Sequence, residues 1–263
     1  MSSQNRTALI TGASGGIGYE LSKLFARDGY SLVLVARSEA KLRQVAAELK
    51  NAFGVLISIL PMDLSSPAAP QMLFDHLQRE TIAVDFLVNN AAYGKYGQFS
   101  QLSIEESLGQ IQLNIVALTA LSRLFLPAMI ARKSGRILNV ASTAGFQAGP
   151  MMAVYYATKA YVISFSEAIA SELAGTGVTV TCLCPGPTLT NFQKRADIES
   201  SRLFRRFGPM DPATVARHGY RAMMKGRALR ISGWKNFVLA ETVRISPRKL
   251  ATAVSGWAAE NEK

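Results

Sequence analysis

The stretch Thr11-Gly12-Ala13-Ser14-Gly15-Gly16-Ile17-Gly18 lies between the first apolar run of the chain and an amphipathic pattern that begins at Ile17. Its glycines allow a tight turn, a close approach of backbone N–H groups to a ligand, and close packing of a helix on a strand. The N-terminus of a helix adds free N–H groups and the positive end of the helix dipole. The stretch therefore predicts a strand–turn–helix unit that binds phosphate groups.

Short apolar runs alternate with longer amphipathic runs through most of the 263 residues. The predicted strands are Thr7–Ile10, Ser31–Ala36, Val55–Leu60, Val84–Val88, Gly135–Ala141, Val178–Cys184 and Ala228–Ser232. The predicted helices are Ile17–Arg27, Glu39–Ala52, Pro67–Arg79, Ile104–Met129, Val154–Leu173 and Pro212–Lys225. Because each crossover between parallel strands passes over a face of the sheet, the alternation predicts helices on both faces. We expect one α/β domain over residues 1–263, with a doubly wound, mostly parallel, Rossmann-like sheet of about seven strands.

Two segments depart from this alternation. Residues 188–210 are polar and basic, and they follow the sixth predicted strand, whose carboxyl end faces the ligand side of such a sheet. We expect this insertion to form a lid. Residues 234–263 follow the last strand and contain an apolar group that predicts a helix docked on the body.

Composition limits the class of protein. The chain is 49% hydrophobic and 18% charged, which excludes intrinsic disorder. It begins without the pattern of a secretory signal, and no stretch of about 18 uncharged apolar residues predicts a membrane span. Cys182 and Cys184 are two apart in a predicted strand, where a disulfide is geometrically implausible, so we expect reduced, buried thiols. These features predict a cytoplasmic protein. No metal site is expected, because the two histidines, His76 and His218, lack neighbouring residues that could bind a metal with them.

The end of the second predicted strand bears on the choice of dinucleotide. A fold of this kind that binds NAD needs a carboxylate there for the ribose 2′-OH, whereas NADP needs a cation for the 2′-phosphate. Ala36 offers no carboxylate, while Arg37 and Ser38 offer a guanidinium and a hydroxyl. The sequence therefore predicts NADP(H); the alternative is that Arg37 is a solvated charge.

Four polar residues form a candidate catalytic group. Tyr155 and Lys159 share one face of a predicted helix, and an ammonium beside a phenol favours the phenolate that general acid/base chemistry needs. Ser142 directly follows the fifth predicted strand, so its hydroxyl is expected to reach the same substrate oxygen. Asn114 lies among apolar residues of a long helix, where its amide must be hydrogen-bonded.

The motifs together resemble the short-chain dehydrogenase/reductase family over about residues 5–233. The resemblance is carried by the glycine turn, Asn89-Asn90-Ala91-Ala92, Asn114, Ser142, Tyr155-Tyr156-Ala157-Thr158-Lys159 and Pro185-Gly186-Pro187-Thr188. It implies a parallel sheet of about seven strands and hydride transfer between NAD(P) and an alcohol or carbonyl compound. The activity expected for this chain is NADPH-dependent reduction of a ketone or aldehyde, or oxidation of a secondary alcohol.

The resemblance also implies a role for each matched residue. Tyr155 is implied as the general acid/base, and Lys159 as the residue that holds the nicotinamide ribose and lowers the tyrosine pKa. Ser142 is implied to orient the substrate oxygen, and Asn114 to anchor a water in a proton relay. Asp63 is expected at the adenine. The residues implied or predicted to contact the cofactor are Gly12, Ser14, Gly16, Ile17, Gly18, Arg37, Asp63, Leu64, Asn90, Ala91, Tyr155, Lys159, Pro185, Gly186 and Thr188.

One position departs from the family pattern. Ala92 stands where the family usually has glycine, and its Cβ is expected to be tolerated near the nicotinamide ribose.

Aromatic and methionine side chains predict an adaptable apolar pocket for a medium-sized ketone or aldehyde. The residues expected around the carbonyl are Tyr93, Gly94, Phe146, Gln147, Met151, Met152 and the lid around Leu189 to Phe207.

The net charge of +11 is confined to the second half of the chain. Residues 1–130 carry ten basic and ten acidic side chains, whereas residues 191–249 carry 14 and four. Three interpretations stay open: a solvated face, a rim that recruits an anionic carrier, and a surface for anionic lipid. The rim would consist of Lys194, Arg195, Arg202, Arg205 and Arg206. Nucleic acid is not expected as a partner, because no recognition motif accompanies the charge.

Two other functions compete with reduction of a free carbonyl compound. An anionic carrier predicts a reductase of 3-oxoacyl thioesters of coenzyme A or acyl carrier protein. A dinucleotide-binding regulator or membrane-surface protein without catalysis is the alternative from another class, but it does not need the four candidate catalytic side chains. The long apolar helices Ile104–Met129 and Val154–Leu173 suit burial against a second subunit, so we expect a homodimer or homotetramer.

Overall fold

Seven parallel strands form one sheet in the computed structural model, which describes residues 6–196, 202 and 208–259, without the side chains of Lys194 and Arg195. The strand order is β3-β2-β1-β4-β5-β6-β7, and every neighbouring pair is parallel. The strands are β1 (Thr7–Thr11), β2 (Ser31–Ala36), β3 (Ile57–Pro61), β4 (Phe86–Asn89), β5 (Gly135–Val140), β6 (Val178–Cys184) and β7 (Leu229–Ile231). The predicted doubly wound α/β fold is confirmed.

Helices connect and flank these strands. They are α1 (Gly16–Arg27), α2 (Glu39–Phe53), α3 (Ala69–Arg79), α4 (Ile104–Ile111), α5 (Leu118–Ala131), α6 (Ala153–Glu172), α7 (Phe192–Ala196), α8 (Pro212–Met224), α9 (Trp234–Ile245) and α10 (Arg248–Ala259). A π-helical segment, Gln112–Ala117, joins α4 to α5, and a 3₁₀ turn, Thr143–Phe146, follows β5. The helix predicted in the tail forms as α9, and a second helix that was not predicted, α10, follows Pro247, which disfavours a helical conformation at the residue before it.

The inner strands β1, β2, β4, β5 and β6 are buried on both faces, whereas the edge strand β3 has no fully buried residue. In β2, Leu32 and Leu34 pack into the core beneath α1 and α2, whereas Val33 and Val35 pack into the opposite core. Successive side chains of a strand point to opposite faces, so a run of apolar residues supplies both cores at once. Each buried leucine or valine contributes about 1.5–3 kcal/mol relative to an exposed one.

The strand order determines where a ligand has room. β1 pairs with β2 on one side and with β4 on the other. The connections that leave β1 and β4 therefore diverge to opposite sides of the sheet. A crevice opens beyond the carboxyl ends of the strands at such a reversal. The glycine turn follows β1 and the Asn89–Ala92 stretch follows β4, so both lie at this crevice.

The helical stretch Ile104–Ala131 departs from one expectation. Its length and its mean hydropathy of 1.7 over the most apolar window are sufficient for a membrane span, although none was expected. Leu118, Leu121 and Phe125 of this stretch pack in the core of the domain. A core helix passes the same test of length and composition, so the stretch is weak evidence for a membrane span.

Candidate active site

One cavity of about 450 Å³ opens at the carboxyl ends of the strands. Of the described residues predicted for catalysis or cofactor binding, Gly18 and Asn114 do not line it. Those that line it are Gly12, Ser14, Gly16, Ile17, Arg37, Asp63, Leu64, Asn90, Ala91, Ser142, Tyr155, Lys159, Pro185, Gly186 and Thr188. The fold thus brings the glycine turn and the candidate catalytic residues into one space.

The glycine turn has no room for side chains at two positions. Gly12 adopts φ of +67°, and a Cβ there would lie 2.7 Å from the Asn90 amide nitrogen. A Cβ at Gly18 would lie 2.3 Å from the carbonyl oxygen of Gly12. At Gly15, the residue before α1, no atom lies within 4 Å of an added Cβ, and no side chain caps the helix. The turn therefore leaves the first N–H groups of α1 open for an anion such as a pyrophosphate.

Asn90 holds the turn in place. Its side-chain amide donates to the carbonyl oxygen of Thr11 at 2.9 Å and to that of Gly12 at 3.3 Å. The Thr11 hydroxyl accepts from the backbone N–H groups of Asn90 and Ala91 at 2.9 and 3.0 Å. Asn90 lines the cavity as predicted. Its side-chain amide, however, bonds to the protein itself and connects the end of β4 to the turn after β1.

A cationic group follows β2. Arg37 and Lys41 line the cavity, and the Ser38 hydroxyl accepts from the Lys41 N–H at 3.4 Å as the N-cap of α2. Burial would raise the pKa of Asp63, but hydrogen bonds from Ser65 and the charge of Arg37 hold it below its ordinary value. Two cations at this position, with no carboxylate at Ala36, favour a phosphate over a ribose hydroxyl. Lys41 was not predicted, although its place at the start of α2 is a usable signal.

Tyr155 and Ser142 meet at the other end of the cavity. The Ser142 hydroxyl accepts from the Ala144 N–H at 3.1 Å, which caps the 3₁₀ turn and orients the oxygen. Burial raises the pKa of Tyr155 well above its ordinary value, and a hydrogen bond with Ser142 acts in the opposite direction. The phenol is therefore strongly held in its neutral form.

Lys159 lies beneath the tyrosine and is 3% exposed. Its Nζ donates to the Val140 carbonyl oxygen at 2.8 Å and lies 5.7 Å from the centre of the Tyr155 ring. Burial lowers the pKa of Lys159 to about 8. Of the groups around Tyr155, the Ser142 hydroxyl acts against burial on the tyrosine pKa, and the lowering of that pKa by the Lys159 ammonium stays a prediction.

Asn114 lies in the π-helical segment behind the cavity. Its Oδ1 accepts from the Tyr93 N–H at 3.1 Å, and its Nδ2 donates to the Tyr93 carbonyl at 2.9 Å and to the Thr158 hydroxyl at 3.0 Å. These bonds satisfy the buried amide, as the sequence required. They also tie the loop after β4, including Ala92, to the helix that carries Tyr155.

The substrate end of the cavity differs in part from the prediction. Tyr93, Gln147 and Met152 line it, but Gly94, Phe146 and Met151 do not. Phe146 packs instead in the core, and Gly94 lies directly against the Tyr155 ring. Three neighbouring residues of the predicted lid also line the cavity: Thr190, Asn191 and Phe192. The Phe192 ring centre lies 5.1 Å from that of Tyr155.

The C-terminal helix forms another wall that the sequence did not predict. Ser255 and Ala258 of α10 line the cavity. Small side chains on an amphipathic helix give no signal of a binding site, so the tertiary contact alone identifies them. The predicted basic rim is described only at Arg202, whose guanidinium lies 5.2 Å from the centre of the Trp257 ring. Arg205, Arg206 and the side chains of Lys194 and Arg195 lie outside the described residues.

Comparison with known proteins agrees with the fold and with the motif set. Residues 6–200 match the family model described as short chain dehydrogenase. Among curated proteins, "Ketoacyl reductase HetN" from Nostoc sp. (strain PCC 7120 / SAG 25.82 / UTEX 2576) is 37% identical over 181 residues. That match covers 69% of this chain and 63% of the relative, so this chain spans less than two thirds of the relative's length.

Two solved structures illustrate the likeness in three dimensions. A short-chain dehydrogenase from Sphingobium yanoikuyae in complex with NADPH is 31% identical, with a TM-score of 0.80 over 91% of this chain and 93% of that chain. A short chain dehydrogenase/reductase from Burkholderia phymatum in complex with NAD has a TM-score of 0.82 over 100% of this chain and 99% of that chain. The second is 24% identical and supports a likeness of fold alone.

Proposed function

Because the chain belongs to the short-chain dehydrogenase family, we propose that this oxidoreductase is an NADPH-dependent reductase of ketones or aldehydes, which also oxidises the corresponding secondary alcohols. The observation that carries the proposal is the single cavity shared by the glycine turn, Arg37 and the Ser142–Tyr155–Lys159 group. The glycine turn and Tyr155 lie at two ends of this space, which supports a phosphate site and a proton donor acting on one bound dinucleotide.

The residues of the turn fit a dinucleotide. The close approach at Gly12 and the open N–H groups before α1 support binding of the pyrophosphate. Arg37 and Lys41 support binding of a 2′-phosphate, with Ser38 between them. When bound, the nicotinamide supplies or accepts the hydride. Asp63, Leu64, Ala91, Gly186 and Thr188 belong to the same wall and are proposed to hold the rest of the cofactor.

Tyr155 is the proposed proton donor. Its raised pKa keeps the phenol protonated near neutral pH, so during reduction it donates its proton to the substrate carbonyl oxygen. The Ser142 hydroxyl lies beside it and orients that oxygen by a hydrogen bond. Lys159 places a positive charge beneath the ring, which stabilises the phenolate that remains after donation.

Loss of NADPH absorbance with a panel of ketones, aldehydes, diketones and 3-oxoacyl thioesters tests the activity. Tyr155→Phe removes the proton donor and is expected to lower kcat by about 100-fold or more while NADPH still binds. Unchanged turnover in Tyr155→Phe contradicts the proposed mechanism. NADPH binding without turnover of any carbonyl compound would instead favour a dinucleotide-binding regulator.

Reduction of 3-oxoacyl thioesters is the second candidate. It is favoured by the 37% identity to a protein named as a ketoacyl reductase and by the basic second half of the chain. A cationic rim attracts an anionic carrier through solvent, so salt weakens the attraction. Added salt is expected to raise KM for a coenzyme A thioester but to leave KM for a neutral ketone nearly unchanged.

The proposed assembly is a homodimer or homotetramer in the cytoplasm or at a membrane surface. Ile104, Leu108 and Ile111 are exposed on one side of α4, which supports burial against a second copy of the chain. Light scattering of the purified protein gives the number of subunits. A monomer at micromolar concentration would contradict the proposed assembly.

A further inference from the structure

The helices α9 and α10 expose an unusual amount of apolar surface. Among the described residues, eight of the 17 exposed large hydrophobic side chains lie between residues 234 and 257. Trp234 is 74% exposed and Ile245 is 87% exposed. Both tryptophans of the chain belong to this group, since Trp257 is 42% exposed. The eight side chains are Trp234, Phe237, Val238, Leu239, Ile245, Leu250, Val254 and Trp257.

One face of helix α10 is packed on the body, and another face is exposed. Ser255 and Ala259 are buried against the body, and Ala258 lines the cavity. Leu250 and Val254, spaced four residues apart, are 57% and 56% exposed on another side of the helix. The small side chains therefore pack this helix on the body, and more than half of the surface of Leu250 and of Val254 stays exposed in the described structure.

Cations accompany this apolar surface. Lys235, Arg244, Arg248 and Lys249 are exposed on α9 and α10, and residues 208–259 carry nine basic and two acidic side chains. Arg202 adds a guanidinium over the Trp257 ring. Tryptophan favours the boundary between water and lipid, where its apolar ring and its N–H are both accommodated, and lysine or arginine nearby attracts anionic headgroups.

The other exposed apolar surface has a different charge. The stretch Ile104–Ala131 contains Glu105 and Glu106 and a single cation, Arg123. An anionic surface would repel its first turn, so that face suits a second protein subunit better than a membrane. The difference in charge therefore favours a protein partner for the exposed face of α4 and an anionic partner for α9 and α10.

We propose that α9 and α10 dock this protein on anionic lipid bilayers. Trp234 and Phe237, spaced three residues apart on α9, insert among the headgroups, while Lys235, Arg248 and Lys249 contact lipid phosphates. The docking is peripheral, because only exposed side chains enter the lipid and the helices keep their contacts with the body. It does not depend on the proposed reductase activity, so each can fail without the other.

Co-sedimentation of the full chain with vesicles tests the proposal. Vesicles of phosphatidylcholine alone are compared with vesicles that contain phosphatidylglycerol and phosphatidylcholine. Binding is expected to the anionic vesicles, to be much weaker with phosphatidylcholine alone, and to decrease as salt rises from low to high concentration.

Two variants separate the apolar and the cationic contributions. Lys235→Gln, Arg248→Gln and Lys249→Gln combined are expected to weaken binding by about 100-fold, since each cation near the lipid contributes about fivefold. Trp234→Ser with Phe237→Ser is expected to weaken it by at least tenfold.

Matched control variants lie on the neutral half of the chain. Lys23→Gln with Lys50→Gln removes two exposed cations, and Leu56→Ser removes a side chain that is 75% exposed. Both controls are expected to bind vesicles as the unaltered protein does.

Three results would overturn the proposal: no binding to anionic vesicles, equal binding to both vesicle types, or a control variant that loses binding as strongly as the α9 and α10 variants. A dimer that Trp234→Ser with Phe237→Ser converts to a monomer, without any vesicle binding by the unaltered protein, would assign this surface to a second copy instead. Circular dichroism of every variant verifies that a loss of binding is not a loss of folding.

Discussion

The ammonium of Lys159 lies 5.7 Å from the centre of the Tyr155 ring and is held there from below, by the carbonyl oxygen of Val140 at the end of β5. The two titratable groups are affected by burial in opposite senses: it raises the pKa of the phenol and lowers that of the ammonium. Burial thus favours the neutral form of both groups. The first prediction, on the pH dependence of stability, follows from this environment.

Lys159 is expected to make stability depend on pH. Its pKa is about 8 in the folded protein and about 10.5 in the unfolded chain, so the unfolded chain binds more protons between these values. The free energy of unfolding of the wild type, minus that of Lys159→Met, should rise by about 2 kcal/mol from pH 8 to pH 10. Chemical denaturation of both proteins without cofactor measures the difference.

The exposed Lys50 provides the control for that measurement. Lys50→Met should leave the dependence on pH unchanged over the same range. A difference between wild type and Lys159→Met that stays constant from pH 8 to pH 10 would contradict the burial of a perturbed ammonium. The range ends at pH 10 because ordinary tyrosines have pKa values of about 10 and become largely ionised at higher pH.

The glycine turn should tolerate a methyl group at one position and not at another. Gly18→Ala places a Cβ 2.3 Å from the Gly12 carbonyl oxygen, a backbone atom that moves only with the turn, so we expect a loss of about 1–3 kcal/mol in unfolding free energy. Gly15→Ala meets nothing within 4 Å and should change stability little. Thermal denaturation compares the two variants, and equal destabilisation would contradict the packing described for α1.

Arg37→Ala should separate the two dinucleotides. Removing a charge-assisted hydrogen bond to a 2′-phosphate is expected to weaken NADPH binding by about 10–100-fold and to leave NADH binding nearly unchanged. Titration calorimetry with each nucleotide measures both affinities. Lys41→Ala should show a smaller effect in the same direction, while an equal loss of NADH and NADPH binding in Arg37→Ala would argue against NADP preference.

Phe192 is expected to select the substrate. Its ring centre lies 5.1 Å from that of Tyr155, so Phe192→Ala removes an aromatic wall beside the reacting oxygen. KM for an aryl ketone should rise about 3–10-fold, with NADPH affinity unchanged. Phe99→Ala, at a side chain that is 66% exposed, serves as the control. An unchanged KM in Phe192→Ala would place the substrate elsewhere in the cavity.

Local patterns were sufficient for the sheet because each strand carries its own signal. The run Ser31–Ala36 is apolar at every inner position, and the strand that forms has these same bounds. The third strand begins two residues later than predicted, at Ile57, since Leu56 is 75% exposed and contributes little to either core. Strand ends depend on such differences in packing, which neighbouring residues do not encode.

The site residues that could be predicted from the sequence are mainly those that directly follow a strand. The glycine turn, Arg37 and Ser142 each come just after a strand, and parallel strands bring their carboxyl ends together. Asn114 was recognised as a buried amide, but not as the link between the loop at Tyr93 and the helix of Tyr155. Asn114 makes that link from within a π-helical turn, which the pattern of apolar residues does not indicate.

The sequence by itself determined the parallel α/β architecture, the anion-binding turn and the grouping of the candidate catalytic side chains, because these follow from periodicity, glycine placement and strand order. Only the tertiary structure decided which environment each group has. The packing of α6 on the sheet buries Lys159 and partly buries Tyr155. The return of α10 to the body brings Ser255 to the cavity and leaves Trp257 partly exposed. Burial and contacts between distant segments depend on the whole chain, and they decide pKa values, cavity walls and exposed surfaces.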